Sequence, residues 1–343
     1  MRSQRIAWLD LLRGLAAIAI VAYHFHRYLG IRHASFGFVA VDVFFALSGI
    51  VLSLKYTGAI EGGMGPLEFA GVRLRRLYPM VAITGIFIVA LNLAGVPSGT
   101  HAEAANTHAW NVFAITPHVG GPAGSAFPAD PPLWSLWAEL AANAVWFAVL
   151  KAGRRWMLPL GVVSAALLVA GVLWMNTLNI GWEDGTLPRL ISLVRALASF
   201  SLGYAIATHA VSVRISVLIF AATLAAFEFA TRLDKGHEGV DELLCALSGL
   251  ALLNLVYRLP EPGPVLATTS RWLGMMSFPL YLIHVPAGRL LPYLQQMPAW
   301  TALLLVVAGT AFAATLLNES LVKLIGRMNR SLGKPAAVPL GNG

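Results

Sequence analysis

Long apolar runs follow one another along almost the whole chain, and they constrain its fold more than any other feature. A transmembrane helix needs about 20 consecutive, mainly apolar residues to cross the hydrocarbon core of a bilayer. Ten runs come close to that length, at approximately 8–29, 36–54, 79–97, 133–150, 157–175, 189–207, 215–231, 240–257, 272–291 and 299–320. No run alternates in polarity as a membrane β-barrel strand does. The sequence therefore predicts an all-α, polytopic integral membrane bundle of about ten transmembrane helices.

The low charge content excludes most soluble classes of protein. Charged residues make up 12% of the 343 residues and hydrophobic residues 57%, whereas an average soluble domain is about 25% charged. This composition excludes an ordinary cytosolic enzyme, a disordered protein and a nucleic-acid binder. The single cysteine, Cys245, excludes a disulfide framework, a zinc cluster and a CxxC redox site. We expect the lipid bilayer as a partner, no metal site and no permanently bound cofactor.

The distribution of Lys and Arg predicts the orientation of the bundle. With the N-terminus placed inside, the inner segments hold 16 of the 24 basic residues and the outer segments hold 6, as the positive-inside rule requires. The long segment 98–132 carries no Lys or Arg, which favours the outer side. We predict a multi-pass protein of the inner (plasma) membrane with both termini in the cytoplasm. Residues 1–330 are predicted to form one membrane domain, and residues 331–343 a disordered tail.

A basic stretch at Pro66–Tyr78 differs from the apolar runs around it. Apolar residues alternate there with Arg73, Arg75 and Arg76, a composition typical of an amphipathic helix that lies on a membrane surface. The sequence predicts a separate interfacial helix on the inner leaflet.

Ionisable residues within the apolar runs are candidates for a functional site, because a charge inside a bilayer is costly. These residues are Asp10, Arg13, His24, Asp42, Glu139, Arg195, Glu228, His284 and Glu319. At about 1.5 Å of rise per residue, most of them fall at one depth in the outer half of the membrane. We therefore expect His24, Asp42, Glu139 and His284 to line one cavity, and we expect Glu319, near an inner helix end, to be exposed.

The first apolar run places a cation and an imidazole on the same face of one helix. Eleven residues separate Arg13 from His24, which is close to three helical turns and about 16 Å. Asp10 lies one turn before Arg13 and can pair with it. This geometry suits a ligand with an anionic head near the cytoplasm and a reactive end deep in the membrane. Simpler interpretations stay open, namely a structural ion pair at a helix end and a histidine that serves packing only. Asp42 and Arg195 can likewise be polar packing contacts between helices.

Five sequence signatures, in order along the chain, resemble those of the acyltransferase 3 family of membrane proteins, which O-acylate bacterial surface glycans. The signatures are LDLLRGLAAIAIVAYH (Leu9–His24), VDVFFALSGIVLS (Val41–Ser53), RLRRLYP (Arg73–Pro79), PLWSLWAEL (Pro132–Leu140) and SFPLYLIH (Ser277–His284). The first contains the Arg-x10-His spacing of the family. Ile50, Asn143 and Phe278 depart from the residues usual at their positions.

The resemblance implies an integral membrane enzyme that takes acyl groups, usually acetyl, from cytoplasmic acyl-CoA. It implies that His24 is catalytic and that Arg13 is its essential partner. Glu139 and the arginines of the basic stretch match positions associated with activity. The acceptor would be a glycan or glycolipid, met by the outer loops or by a separate periplasmic partner.

With acyl-CoA as the donor that the resemblance implies, these residues lead to a mechanistic hypothesis. Arg13, Arg73, Arg75 and Arg76 hold the CoA phosphates through charge-assisted hydrogen bonds. His24 either deprotonates a glycan hydroxyl or accepts the acyl group itself.

Other polar residues of the apolar runs are given supporting roles in this hypothesis. Asp42 or Glu139 orients the imidazole, and Ser48 is a weaker candidate for a hydrogen-bonding role. Arg195, Glu228, His284 and Asp10 are further site candidates.

A different class of function also accounts for intramembrane histidines and carboxylates. Proton-coupled transporters use such groups as relays, so export of a glycan or its precursor is the alternative. The basic stretch, together with Arg13, favours the enzyme over the transporter. A CoA-dependent enzyme needs such cations, and a transporter does not. The acceptor glycan, the acyl chain, the choice between direct transfer and an acyl-histidine intermediate, and the oligomeric state stay open.

Overall fold

A computed structural model describes residues 6–30, 37–97, 109–118, 124–209, 212–230 and 238–331. The helices are α1 (Ala7–Leu29), α2 (Ala40–Glu61), α3 (Pro66–Leu93), α4 (Ala109–Ala114), α5 (Leu133–Ala152), α6 (Met157–Met175), α7 (Thr186–Thr208), α8 (Val213–Ala230), α9 (Glu238–Tyr257), α10 (Pro264–Gly288), α11 (Ala299–Leu303) and α12 (Gly309–Ser331). A π-helical segment, Leu304–Ala308, joins the last two. Most of the tail predicted at 331–343 lies outside the described residues.

The described residues confirm an all-α, polytopic membrane bundle. Each of the ten apolar runs falls largely within helical structure, and eight segments are long and apolar enough to cross a membrane. The apolar part of α8 is shorter, at Val213–Ala226. Among the described residues, extended pairing is limited to one isolated bridge between Ser125 and Glu183. The exact number of spans and their orientation stay predictions.

The basic stretch at Pro66–Tyr78 does not form a separate helix, so that prediction was wrong. It is the first half of α3, which continues through Pro79 to Leu93. A proline inside a membrane helix is tolerated because neighbouring groups satisfy the backbone carbonyl that it leaves unbonded. Arg73 is buried with 4% of its surface exposed, so one face of this part of α3 packs into the bundle, while Leu67 and Leu74 on the other face are exposed.

Two pairs of parallel helices pack closely through glycines. In the pair α2 and α7, a Cβ atom added to Gly49 would overlap the carbonyl oxygen of Phe200, and one added to Gly203 would overlap that of Ala46. In the pair α1 and α10, a Cβ on Gly14 would lie 2.5 Å from the Cβ of Leu273. Small residues drive helix association in membranes by letting backbones approach, and these contacts fix the positions of the polar side chains described below.

The segment before α5 buries a carboxyl group. His118 donates its backbone N–H to Ala126, and Ala126 donates to Trp182, so this segment is held against the residues that precede α7. Asp130 is fully buried there, and neither of its carboxylate oxygens has a hydrogen-bond partner in the described structure. Burial raises the pKa of Asp130 well above its usual value. Asp130 is therefore neutral in the folded protein over a wider pH range than in the unfolded chain.

We predict that Gly49→Ala destabilises the protein by about 1–3 kcal/mol, the usual cost of overpacking a core. The added methyl group meets a backbone oxygen of α7, which cannot rotate away, so the helices must separate. Gly58→Ala on the same helix is the matched control, because a Cβ there meets nothing within 4 Å. The midpoint of thermal unfolding of the detergent-solubilised chain measures both variants. Equal midpoints for the two variants would contradict the close packing.

We predict that Asp130→Asn makes stability less dependent on pH. The pKa of Asp130 is higher in the folded protein than in the unfolded chain, so proton binding stabilises the folded state. This contribution to stability is complete below the unfolded pKa of about 3.9. It is lost as the pH rises through the folded-state pKa. The thermal midpoint of the variant should therefore fall less than that of the parent chain between acid and neutral pH. Glu68→Gln, at an exposed position, is the control. Parallel pH profiles for all three proteins would show that Asp130 is not protonated by burial.

Candidate active site

A cavity of about 170 Å³ lies inside the bundle between α1, α2, α3, α5, α10 and α12. Its charged lining residues are Arg13, Lys55, Arg73, Arg76, Glu139 and Glu319. Arg13 lies near the start of α1 and Lys55 near the end of α2, so both are at the same end of the bundle, which we call the basic end. The cations outnumber the carboxylates, and this end of the cavity is suited to an anionic ligand.

Glu139 links three helices in the wall of the cavity. Its Oε1 atom accepts a hydrogen bond from Oγ of Ser48 at 2.5 Å and one from Nη2 of Arg73 at 2.6 Å. The side chain of Arg73 is 4% exposed and that of Glu139 is 18% exposed. A buried pair of this kind is strongly destabilised when one partner is removed, since the other charge is left uncompensated. Glu139 therefore holds Arg73 in the cavity wall.

Arg13 and Asp10 form the ion pair expected on α1. Nη1 of Arg13 lies 3.6 Å from Oδ1 of Asp10, and the two side chains are 11% and 4% exposed. Asp10 also packs against α10, where a Cβ on Gly274 would lie 2.7 Å from its Oδ1 atom. Arg13 extends from this contact into the lining of the cavity.

A small hydrogen-bonded group closes the opposite end of the cavity. The hydroxyl groups of Tyr281 and Ser135 lie 2.5 Å apart, and the Tyr281 hydroxyl donates to the carbonyl oxygen of Pro132 at 2.9 Å. The ring of Phe44 packs against Tyr281 with 5.6 Å between centroids. These residues form the cavity wall nearest to the histidines.

His24 and His284 contact each other just beyond Tyr281. Nε2 of His284 lies 3.1 Å from Nδ1 of His24, and the ring centroids are 4.7 Å apart. The centroid of His284 lies 6.1 Å from that of Tyr281. His284 is completely buried, whereas His24 is exposed and does not line the cavity. The imidazole pair is thus one aromatic layer away from the end of the cavity.

Asp42 and Arg195 form a separate buried pair between α2 and α7. Nη2 of Arg195 lies 2.6 Å from Oδ2 of Asp42, and Nε lies 3.0 Å from Oδ1. Ser199 donates to Asp42, and the guanidinium also donates to the carbonyl oxygens of Phe38 and Leu178. These contacts satisfy both charges within the bundle.

The expectation that His24, Asp42, Glu139 and His284 line one cavity is therefore wrong. Of these four residues, Glu139 alone lines the cavity described above. Neither Asp42 nor Glu139 contacts the imidazole of His24, because each carboxylate binds an arginine on a neighbouring helix. Residues at the same depth in the membrane can lie on different sides of the bundle. Here each carboxylate pairs with an arginine on an adjacent helix and not with the imidazole.

The remaining sequence candidates are distributed differently. Arg76 lines the cavity, whereas Arg75 is exposed and does not. Glu319, which we expected to be exposed, is half-buried and lines the cavity. Glu228 falls within α8, but its side chain lies outside the described part of the structure. No group of three or more His, Cys, Asp or Glu residues in the described chain is arranged to hold a metal ion.

Several lining residues were missed by the sequence analysis. They are Lys55, Tyr56, Ser135, Tyr281 and Asn318. A search for polar residues on the same helix face could have found some of them, because Lys55 lies seven residues after Ser48 and Ser135 four residues before Glu139.

Comparisons with known proteins place the chain in a family. The family model described as an acyltransferase domain matches residues 6–318. Protein 2 in the picA locus of Rhizobium radiobacter is 32% identical over 185 residues, which cover 49% of this chain and 95% of that protein.

A second relative is the peptidoglycan O-acetyltransferase OatA of Listeria monocytogenes serovar 1/2a. It is 28% identical over 345 aligned residues, which cover 88% of this chain. The chain spans about half of that relative, 52% of its length. No solved structure matches the chain significantly. The family match extends over nearly all of the helical bundle, so the chain belongs to the acyltransferase 3 family and is a membrane acyltransferase.

Proposed function

We propose that the protein is an O-acyltransferase that moves an acyl group, in the first instance acetyl, from cytoplasmic acyl-CoA to a hydroxyl of a cell-surface or exported glycan or glycolipid. One observation carries this proposal: a cavity inside the bundle begins at a cluster of cations and ends at the Tyr281 layer, directly beyond which a histidine pair lies. The family assignment favours this function over proton-coupled transport.

The basic end of the cavity suits the phosphates of CoA. Arg13 and Arg76 present guanidinium groups, which bind phosphate in a bidentate manner, and Lys55 adds a point charge. Arg73 contributes its charge beside them while it is held by Glu139. The CoA head would bind here, at the end that we predict to face the cytoplasm.

The cavity leads from this end toward the reacting group. Arg13 and His24 lie on the same face of α1, about 16 Å apart along the helix axis. The pantetheine arm would follow this direction and bring the thioester to the layer of Phe44 and Tyr281. The thioester has to pass this layer to reach His24, since the cavity ends there.

His24 is the residue to which we assign the chemistry. As a general base, it removes the proton of the acceptor hydroxyl, whose oxygen attacks the thioester carbonyl carbon. A C–O bond forms, the C–S bond breaks, and the proton passes to the departing sulfur of CoA. In the alternative route, His24 first accepts the acyl group and then transfers it to the hydroxyl. Both routes place the acceptor beside the exposed edge of His24, at the outer side of the inner membrane.

The proposal of a glycan acceptor is supported by the name of one relative. The name of the Listeria relative states that it acetylates peptidoglycan. For this chain we propose an acceptor from the class of surface or exported glycans and glycolipids. The outer loops or a separate periplasmic partner would bring this acceptor to the site.

We predict that Arg76→Ala raises the KM for acetyl-CoA about tenfold or more, because a hydrogen bond to a charged group contributes about 1.5–3 kcal/mol. Arg75→Ala is the matched control from the same basic stretch, since Arg75 is exposed and lies outside the cavity lining. Its KM should stay within about twofold of the parent value. Transfer of radiolabelled acetyl groups from acetyl-CoA to the glycan fraction of membrane vesicles gives both values. Equal KM values for the two variants would contradict donor binding at the basic end.

We predict that cells carrying His24→Ala lose the acyl group from a surface glycan that cells with the parent protein modify. Proton transfer or nucleophilic catalysis is lost in this variant, whereas the basic end of the cavity is unchanged. Mass spectrometry of the envelope glycans, compared with a deletion strain, identifies the glycan and the acyl group together. Immunoblotting of membranes controls for the amount of inserted protein. Normal acylation by correctly inserted His24→Ala protein would disprove the catalytic assignment.

A further inference from the structure

The contacts of the His284 ring determine which of its nitrogens carries the proton. Its Nδ1 atom lies 2.8 Å from the carbonyl oxygen of Tyr281 and 3.1 Å from that of Leu280. A carbonyl oxygen only accepts hydrogen bonds, so Nδ1 is the protonated nitrogen. In a neutral imidazole the other nitrogen then bears a lone pair. Nε2 of His284 is therefore an acceptor, and it faces His24.

The same reasoning extends to His24. Its Nδ1 atom lies 2.9 Å from the carbonyl oxygen of Ile20 and 3.1 Å from Nε2 of His284. Both neighbours are acceptors, so Nδ1 of His24 carries a proton directed at them. The lone pair of the His24 ring is consequently on Nε2.

The packing of α1 against α10 holds the two rings in this arrangement. A Cβ atom on Gly288 would lie 2.5 Å from the ring of Phe25, so the two helices are in close contact beside the histidines. The ring of His284 packs against those of Phe25 and Tyr281, at centroid distances of 6.3 and 6.1 Å. His284 is fully buried and held by two backbone carbonyls, so its ring cannot turn without losing these bonds.

We propose that His284 is a positioning residue that fixes His24 in the tautomer whose Nε2 atom is unprotonated and available for reaction. The proposal rests on the function proposed above, because it assigns the chemistry to His24. In this proposal His284 acts on the reaction only by orienting His24, and it does not contact the substrate.

This tautomer serves either route of acyl transfer. In direct transfer, Nε2 of His24 takes the hydroxyl proton as the C–O bond forms and the C–S bond breaks, and it then gives the proton to the CoA sulfur. While His24 carries both protons, the hydrogen bond from its Nδ1 to His284 is charge-assisted and stabilises the imidazolium. In the two-step route, the same lone pair forms a C–N bond as the C–S bond breaks. The acceptor oxygen then displaces the imidazole, and the hydroxyl proton goes to the CoA thiolate.

Two substitutions of His284 separate the proposal from a general packing role. Gln places its amide near the position of the imidazole Nε2 and can accept the Nδ1 proton of His24. Asn is shorter, reaches only the position of Nδ1 and loses that acceptor. We expect His284→Asn to lower kcat about 100-fold, in the range of general-base catalysis, with the KM for acetyl-CoA within about twofold of the parent value. We expect His284→Gln to retain at least about tenfold more of kcat than His284→Asn.

The kinetic test uses membrane vesicles with radiolabelled acetyl-CoA and their own glycans. Equal kcat values for the Asn and Gln variants, at equal amounts of folded protein, would overturn the proposal. A rise in the KM for acetyl-CoA as large as the fall in kcat would also overturn it, because His284 would then act on donor binding.

A second measurement keeps the proposal falsifiable if a variant does not fold. Nitrogen NMR of the full chain in lipid nanodiscs, with isotopically labelled histidine and His24→Gln for assignment, reports the tautomer directly. Protonated Nδ1 and unprotonated Nε2 of His24 support the proposal, and the reverse tautomer in the parent chain overturns it. If the parent chain transfers no acetyl group, the proposed function fails, while the NMR result still decides the tautomer.

Discussion

Charged side chains inside an apolar bundle have to find partners within the protein, because hydrocarbon offers none. The described structure meets this constraint with ion pairs that cross between helices. Asp42 and Arg195 join α2 to α7, and Glu139 and Arg73 join α5 to α3. A slip of one helical turn would leave a buried charge uncompensated, which typically costs about 3–5 kcal/mol. These pairs therefore fix the register of the helices around the cavity.

The same constraint accounts for the character of the site. Pairing with Asp42 keeps Arg195 away from the cavity, and pairing with Glu139 keeps Arg73 in its wall. Arg13, Arg76 and Lys55 add further positive charge at the same end. An intramembrane cavity with an excess of cations stabilises an anionic ligand, and the phosphate groups of an acyl-CoA donor would supply that charge.

Close helix packing connects this cavity to the histidine pair. Glycines let α1 approach α10 at both ends of their contact, near Gly14 and near Gly288. Because the two helices are parallel, the segment of α1 that carries His24 meets the segment of α10 that carries His284. Tyr281, one turn earlier on α10, closes the cavity on the side of the histidines. Close packing of these two helices thus determines the distance between two side chains that are 260 residues apart in the sequence.

The sequence by itself determined the class of the fold and identified most of the candidate site residues. Runs of about 20 apolar residues permit only membrane helices, and the family signatures contain His24, Glu139, Arg73 and His284. Periodicity along α1 also placed Arg13 and His24 on one face, because both belong to the same helix.

The tertiary structure alone decided which of these residues meet. Depth along a helix follows from counting residues, but the direction in which a side chain points depends on which helices are neighbours, and no local pattern encodes that choice. For this reason Asp42 was expected beside the imidazole and instead binds Arg195, and Glu319 was expected at the surface and instead lines the cavity. The helix of the basic stretch was expected on the membrane surface, yet a carboxylate on α5 holds Arg73 inside the bundle. Each of these outcomes depends on neighbours from a distant part of the chain, and only the folded bundle brings them together.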